Sequence, residues 1–204
     1  MGSSQARGPI LFLDFDDVLC LNTTYGGYDV ILALAQIEKG TARPEDFREM
    51  WTQLFDGDAK AYLKALHEEF EPRYVLSTSW RKFLDKEAFI TVFENCGLEF
   101  VAKNLHPAVQ TPAFESPQLA WRTPGFLSPP LRAREIGSWL ARNPDERGWV
   151  VLDDECSGTG LDKWSVEKDR ACIVLCQEGV GLTGVEYERL RDAFLLRVEQ
   201  GIST

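Results

Sequence analysis

The stretch Leu11-Phe12-Leu13-Asp14-Phe15-Asp16-Asp17, in which a short apolar run breaks into acids, constrains the fold more than any other feature of the chain. A continuous apolar run, unlike an alternating one, predicts a strand covered on both faces. The carboxyl end of such a strand is where open α/β sheets bind their ligands. Residues i and i+2 of extended backbone point the same way, so the spacing aims Asp14 and Asp16 at one point beyond the strand. Two clustered carboxylates repel unless something positive lies between them, and a divalent cation meets that need with oxygen ligands. The competing reading is a polar turn that closes a buried strand, because acids are common in turns.

Three further apolar runs have turn or acidic borders: Tyr74-Val75-Leu76, Trp149-Val150-Val151-Leu152 and Cys172-Ile173-Val174-Leu175. A fifth strand is expected over Leu98 to Ala102. Helical periodicity links Tyr62, Leu63, Leu66 and Phe70, then Leu84, Ala88 and Val92 ahead of Gly97. It returns at Ile136, Trp139 and Leu140 ahead of Asn143-Pro144, and at Tyr187, Leu190, Phe194 and Val198. Strands alternating with helices imply parallel βαβ units, an α/β sandwich and, at 204 residues, a single domain over 1–204. Two segments break the alternation. Residues 21–57 carry an apolar patch from Val30 to Ile37 and a stripe of Phe47, Met50, Trp51 and Leu54, which predicts a small helical cap insertion. Residues 103–130, rich in proline and aromatics, predict a long irregular loop.

Charge narrows the partners. With 32 acidic and 22 basic side chains the formal charge is -10, and the average field repels phosphate backbones and anionic membranes. No apolar run approaches the roughly 18 residues of a membrane span, and no charged leader runs into a long apolar segment. The five cysteines are odd in number and mostly flanked by aliphatic residues, as reduced thiols are, so a cytoplasmic protein is expected. Zinc is disfavoured, because no CxxC or HxxxH spacing occurs and His67 and His106 lie far apart.

Two more strand ends carry chemistry. Ser77, Thr78 and Ser79 precede Trp80 and Arg81, and hydroxyls with free backbone N–H groups at such a turn suit a phosphate oxygen or, equally, a helix cap. Asp153 and Asp154 end a later strand, after the basic helix start Leu131-Arg132-Ala133-Arg134. A second acidic strand end can complete the oxygen shell of a hard cation, and an arginine can hold a phosphoryl group through paired hydrogen bonds. The order DxD, hydroxyl, arginine, DD is hard to reach by chance.

In these motifs and their order, over about residues 10 to 176, the sequence resembles the haloacid dehalogenase (HAD) superfamily of phosphohydrolases. The resemblance implies a three-layer, Rossmann-like α/β sandwich with a mainly parallel sheet and a helical insertion after the first strand. It implies Asp14 as nucleophile and Asp16 as general acid/base, with Thr78, Ser79 and Arg132 binding phosphate. Mg²⁺ would be held by Asp14, Asp153, Asp154 and, through its backbone carbonyl, Asp16. Two registers stay open, Ser77 against Thr78 and Arg132 against Arg134. The strand-TSWR element, the Arg134-Glu135-Ile136 helix with Trp139-Leu140, the VVLDD strand and Gly181-Leu182-Thr183 are also similar to small bacterial HAD proteins related to the phosphatase domains of RNA-repair enzymes. The implied activity is Mg²⁺-dependent hydrolysis of a small phosphomonoester through an aspartyl phosphate. A nucleic-acid end would require Arg81, Lys82, Arg122, Arg132 and Arg134 to form a local basic patch. A catalytically silent scaffold is the rival within the same fold. A receiver-type signalling domain ranks lower, because it needs its phosphoacceptor on an internal strand and the strand before Ser77 has no Asp.

Overall fold

The computed structural model describes residues 8–112, 131–146, 148–164 and 166–202. Strands β1 (Ile10–Leu13), β2 (Arg73–Leu76), β3 (Leu105–Gln110), β4 (Trp149–Asp154) and β5 (Ile173–Cys176) form one sheet in the order β3-β2-β1-β4-β5. Every pairing is parallel. The two-residue period sends Leu11, Leu13, Tyr74, Leu76, Val150 and Leu152 to one face, and Ile10, Phe12, Val75 and Val151 to the other. Helices α3 (Gly57–Phe70), α4 (Lys86–Asn95) and α7 (Gly184–Ile202) cover the first face, with Leu63, Leu66, Phe89, Phe93, Leu190 and Phe194 in its core. Helix α6 (Leu131–Arg142) covers the second through Ile136 and Trp139, whose ring meets Phe12 edge-on at 5.1 Å. Each such side chain contributes about 1.5–3 kcal/mol on burial. The result is the expected three-layer α/β sandwich, with β1 at its centre.

The fifth strand lies elsewhere than expected. Glu99–Lys103 forms a short helix, α5, and the strand follows it as β3. Leu98, Val101 and Ala102 stand at helical rather than strand spacing, and the Val101 N–H bonds back to the Leu98 carbonyl at 2.9 Å. Pro107 conceals β3 in the sequence, yet β3 is an edge strand, where a missing N–H is tolerated, and Pro107 is exposed. The predicted irregular loop 103–130 therefore contains the end of α5 and β3; its remainder, 113–130, lies outside the described residues.

Segment 21–57 is helical: α1 (Gly27–Glu38), a 3-10 turn Pro44–Phe47 and α2 (Arg48–Gln53). Met50, Trp51, Leu54 and Phe55 are buried in the same core as Leu11 and Leu13, and α2 packs on α4. The segment returns to its starting point where the Asp56 N–H donates to the Leu19 carbonyl at 2.7 Å, and the Asp56 carboxylate then caps α3. All five cysteines are free and only Cys156 is exposed. Among the described residues no helix is long and apolar enough to cross a membrane.

Candidate active site

Strand register gathers the motifs. Leu13 is level with Leu76 on one side and Leu152 on the other, so the next residue of each strand, Asp14, Ser77 and Asp153, emerges at the same height. The Asp14 N–H donates to the Leu152 carbonyl at 3.0 Å, and the Ser77 N–H to the Leu13 carbonyl at 2.9 Å. Asp14, Asp153 and Asp154 are all buried, and one oxygen from each lies within 4.8 Å of the others.

Arg132, in the first turn of α6, reaches across the sheet to this cluster. Its Nη2 lies 2.9 Å from Asp14 Oδ2 and its Nε 2.7 Å from Asp153 Oδ2. The second approach is an ion pair without hydrogen-bond alignment, so among the described residues Arg132 Nε and Asp153 Oδ2 have no hydrogen-bond partner. Asp154 Oδ1 accepts the N–H groups of Cys156 and Ser157 at 2.7 and 2.8 Å, while its Oδ2 has no hydrogen-bond partner among the described residues. Glu135, one helical turn past Arg132, places Oε2 3.6 Å from Arg132 Nη1 and pairs through Oε1 with Arg81. Arg81 in turn donates to the Thr78 carbonyl. With all groups ionised, the four carboxylates Asp14, Asp153, Asp154 and Glu135 against the two guanidinium groups Arg81 and Arg132 leave a formal charge of -2.

Of the two open registers, the Thr78 hydroxyl helps hold down the Asp14 pKa and accepts the Trp80 backbone N–H at 3.4 Å, whereas the Ser77 hydroxyl lies 3.5 Å from Arg132 Nη1. Arg132 is buried against the carboxylates and Arg134 is exposed. The Asp16 carboxylate is not one of the three gathered carboxylates. Its oxygens accept from Ser79 Oγ at 3.0 Å, from Trp80 Nε1 at 3.1 and 3.0 Å, and from Asn22 Nδ2 at 3.1 Å. The sequence marked the hydroxyls and acids but assigned no site role to Asn22 or Glu135, did not tie Trp80 to Asp16, and named Arg81 only as a member of a conditional basic patch. No local spacing ties Arg81 to Glu135; their meeting depends on how α6 docks.

Burial pushes the Asp14 carboxyl up to about 6, against the opposing pull of Arg132 and the Phe15 N–H. Asp153 is pushed well above the usual carboxylate range by burial and then by the charge of Asp14. Without a cation between them, two carboxylates this close retain a proton. Buried oxygens on Asp153 and Asp154 without hydrogen-bond partners among the described residues, an all-oxygen donor set and a surplus of two negative charges fit a hard divalent cation.

The model of the HAD domain in Swiss Army Knife RNA repair proteins matches residues 10–186, a span that contains all of these side chains. No curated protein and no solved structure matches the chain. On that match, which covers most of the sequence and agrees with its parallel sheet and the acids at the strand ends, the chain belongs to the family described as the HAD domain in Swiss Army Knife RNA repair proteins.

Proposed function

We propose that the protein is a Mg²⁺-dependent phosphomonoester hydrolase that works through an aspartyl phosphate on Asp14. The observation that carries this reading is the convergence of Asp14, Asp153, Asp154 and Arg132 at the carboxyl end of the central strands. Asp14 is oriented for attack by the Phe15 N–H at 2.8 Å on Oδ1 and by Arg132 at 2.9 Å on Oδ2. An Asp14 oxygen bonds to phosphorus as the bond to the leaving oxygen breaks, and Asp16 gives that oxygen its proton. Asp16 then takes a proton from the water that attacks phosphorus, which releases inorganic phosphate and restores Asp14. Arg132 exchanges its carboxylate partners for phosphoryl oxygens, assisted by the hydroxyls of Thr78 and Ser79. Mg²⁺ bound by Asp14, Asp153, Asp154 and the Asp16 carbonyl would supply neutralisation of phosphoryl charge.

A small phosphorylated substrate suits the formal charge of -10 and the enclosed position of Asp14. Of the cations a polynucleotide would require, Arg81 is committed to a buried ion pair with Glu135, Arg132 is buried and serves the transferred phosphoryl group, and Arg122 lies outside the described residues. The family's description favours a second reading, a phosphatase acting on RNA ends. Within segment 21–57 the cap role is assigned to Asn22 and the start of α1, which lie against Asp16 and Trp80, because Met50, Trp51 and Leu54 belong to the core.

The test is phosphate release from p-nitrophenyl phosphate, a panel of small phosphomonoesters and a terminally phosphorylated RNA oligonucleotide, with Mg²⁺ and with chelator. Release that stops with chelator supports the reading, and equal rates remove the metal from it. Asp14→Asn should lower turnover by about 10³-fold or more without loss of folding. Undiminished turnover in that variant excludes Asp14 as nucleophile.

A further inference from the structure

Asp16 is held by side chains to which the sequence motifs assign no such role. Trp80 is 1% exposed and donates its only polar hydrogen to both Asp16 oxygens, at 3.1 and 3.0 Å. Its ring is locked edge-on to Phe15 at 5.3 Å and stacked on Phe55 at 6.2 Å. Asn22, exposed and in the left-handed region at φ 53°, adds its amide at 3.1 Å. Two consecutive glycines back these two donors. A Cβ on Gly26 would stand 2.2 Å from Asn22 Oδ1, and one on Gly27 2.9 Å from the Trp80 ring and 3.0 Å from its Nε1. The start of α1 thus presses bare backbone against both residues that hold Asp16.

We infer that Trp80 and Asn22 are positioning residues for Asp16, clamped by the Gly26-Gly27 backbone so that its carboxyl group stays aimed at the leaving oxygen. The inference rests on the phosphatase reading and deepens it. A tight aromatic pocket would be satisfied by phenylalanine, but an indole brings an N–H, and that N–H goes to Asp16. Proton donation is efficient only with the donor within hydrogen-bond reach of the atom it protonates, so a carboxyl group free to rotate loses rate where protonation matters most.

That dependence gives a readout which packing alone would not move. An alkoxide leaves poorly and needs the proton of Asp16; p-nitrophenolate leaves well and needs it less. Wild type, Trp80→Phe, Asn22→Gly, Gly27→Ala and Asp16→Asn are compared on p-nitrophenyl phosphate and on glycerol phosphate, with melting temperatures measured alongside. Trp80→Phe keeps an aromatic ring, and Asn22→Gly suits the positive φ. In both, kcat/KM on the alkyl ester should fall roughly tenfold further than on the aryl ester, in the direction that Asp16→Asn shows more strongly. Gly27→Ala, which displaces the indole, should shift the ratio the same way. Variants that are folded but lose both activities equally, or neither, overturn the inference and leave the phosphatase reading standing. A wild type inert on both esters, and on the wider panel, overturns the phosphatase reading and this inference with it. Should Trp80→Phe not fold, Asn22→Gly at its exposed site decides.

Discussion

A guanidinium taken out of water is tolerated only beside a charge of opposite sign, and two of them side by side need more than one such partner. Arg132 meets this condition through Asp14 and Asp153, and Glu135 serves both arginines, one oxygen each. The side chains of Arg81 and Glu135 are 3% and 5% exposed, so solvent screens the pair little. Burial and the neighbouring charge of Arg132 both pull the Arg81 pKa down, and Glu135 opposes them. Glu135→Gln should therefore cost about 3–5 kcal/mol in urea denaturation, because it leaves Arg81 without its counter-charge. Replacing the pair together, Arg81→Met with Glu135→Leu, should cost less than that single change. A loss below about 1 kcal/mol for Glu135→Gln would show that water reaches Arg81.

At the scale of elements, an apolar stripe reports that a helix is buried but not what it covers. The stripe Met50, Trp51 and Leu54 lies in the main core, with Trp51 2% exposed and its indole N–H bonded to the Pro44 carbonyl at 3.1 Å. Trp51→Ala should destabilise the whole fold by about 3–5 kcal/mol, read as a lowered urea midpoint. A change of under about 1 kcal/mol would separate α2 from the core. The strand misplaced at Leu98 to Ala102 has a related cause. Apolar content alone does not distinguish a short buried helix from a strand, and the proline in β3 is permitted only because the topology puts that strand at the edge.

Over the whole molecule, a formal charge of -10 coexists with a buried cluster whose acids outnumber its two arginines. Asp14 rises from 3.8 to about 6 on burial, so between those values the folded protein binds a proton that the unfolded chain has released. Without a cation, stability therefore falls as pH rises through that window. Cation binding requires the ionised carboxylates, so its stabilising effect grows as pH rises through about 6. Mg²⁺ at about a hundredfold excess over its Kd should add about 2.7 kcal/mol near pH 7.5 and distinctly less near pH 5. Melting temperatures with Mg²⁺ and with chelator at the two pH values check this. An absent shift, or one equal at both, would remove the cation from the cluster.

The sequence by itself determined the strands β1, β2, β4 and β5 and the placement of Asp14, Thr78 and Asp153 at or near their ends. Those features are local: an apolar run long enough to be covered on both faces, broken by residues that cannot be. Parallel register then brings Asp14, Ser77 and Asp153 to one level without further instruction. The tertiary structure alone decided where Asp16 goes. The chain turns after β1 through Asp17 at φ 54° and Asn22 at φ 53°, and the Asp16 carboxylate is held by Trp80, Ser79 and Asn22, two of which come from just past the end of β2. It likewise decided that Arg132 rather than Arg134 faces the acids, and that Glu135 joins Arg81 to it, because the docking of α6 on the sheet selects which helix face is buried. Periodicity is written in neighbouring residues, whereas these meetings join residues far apart in the chain, and only the packed fold brings them within reach of one another.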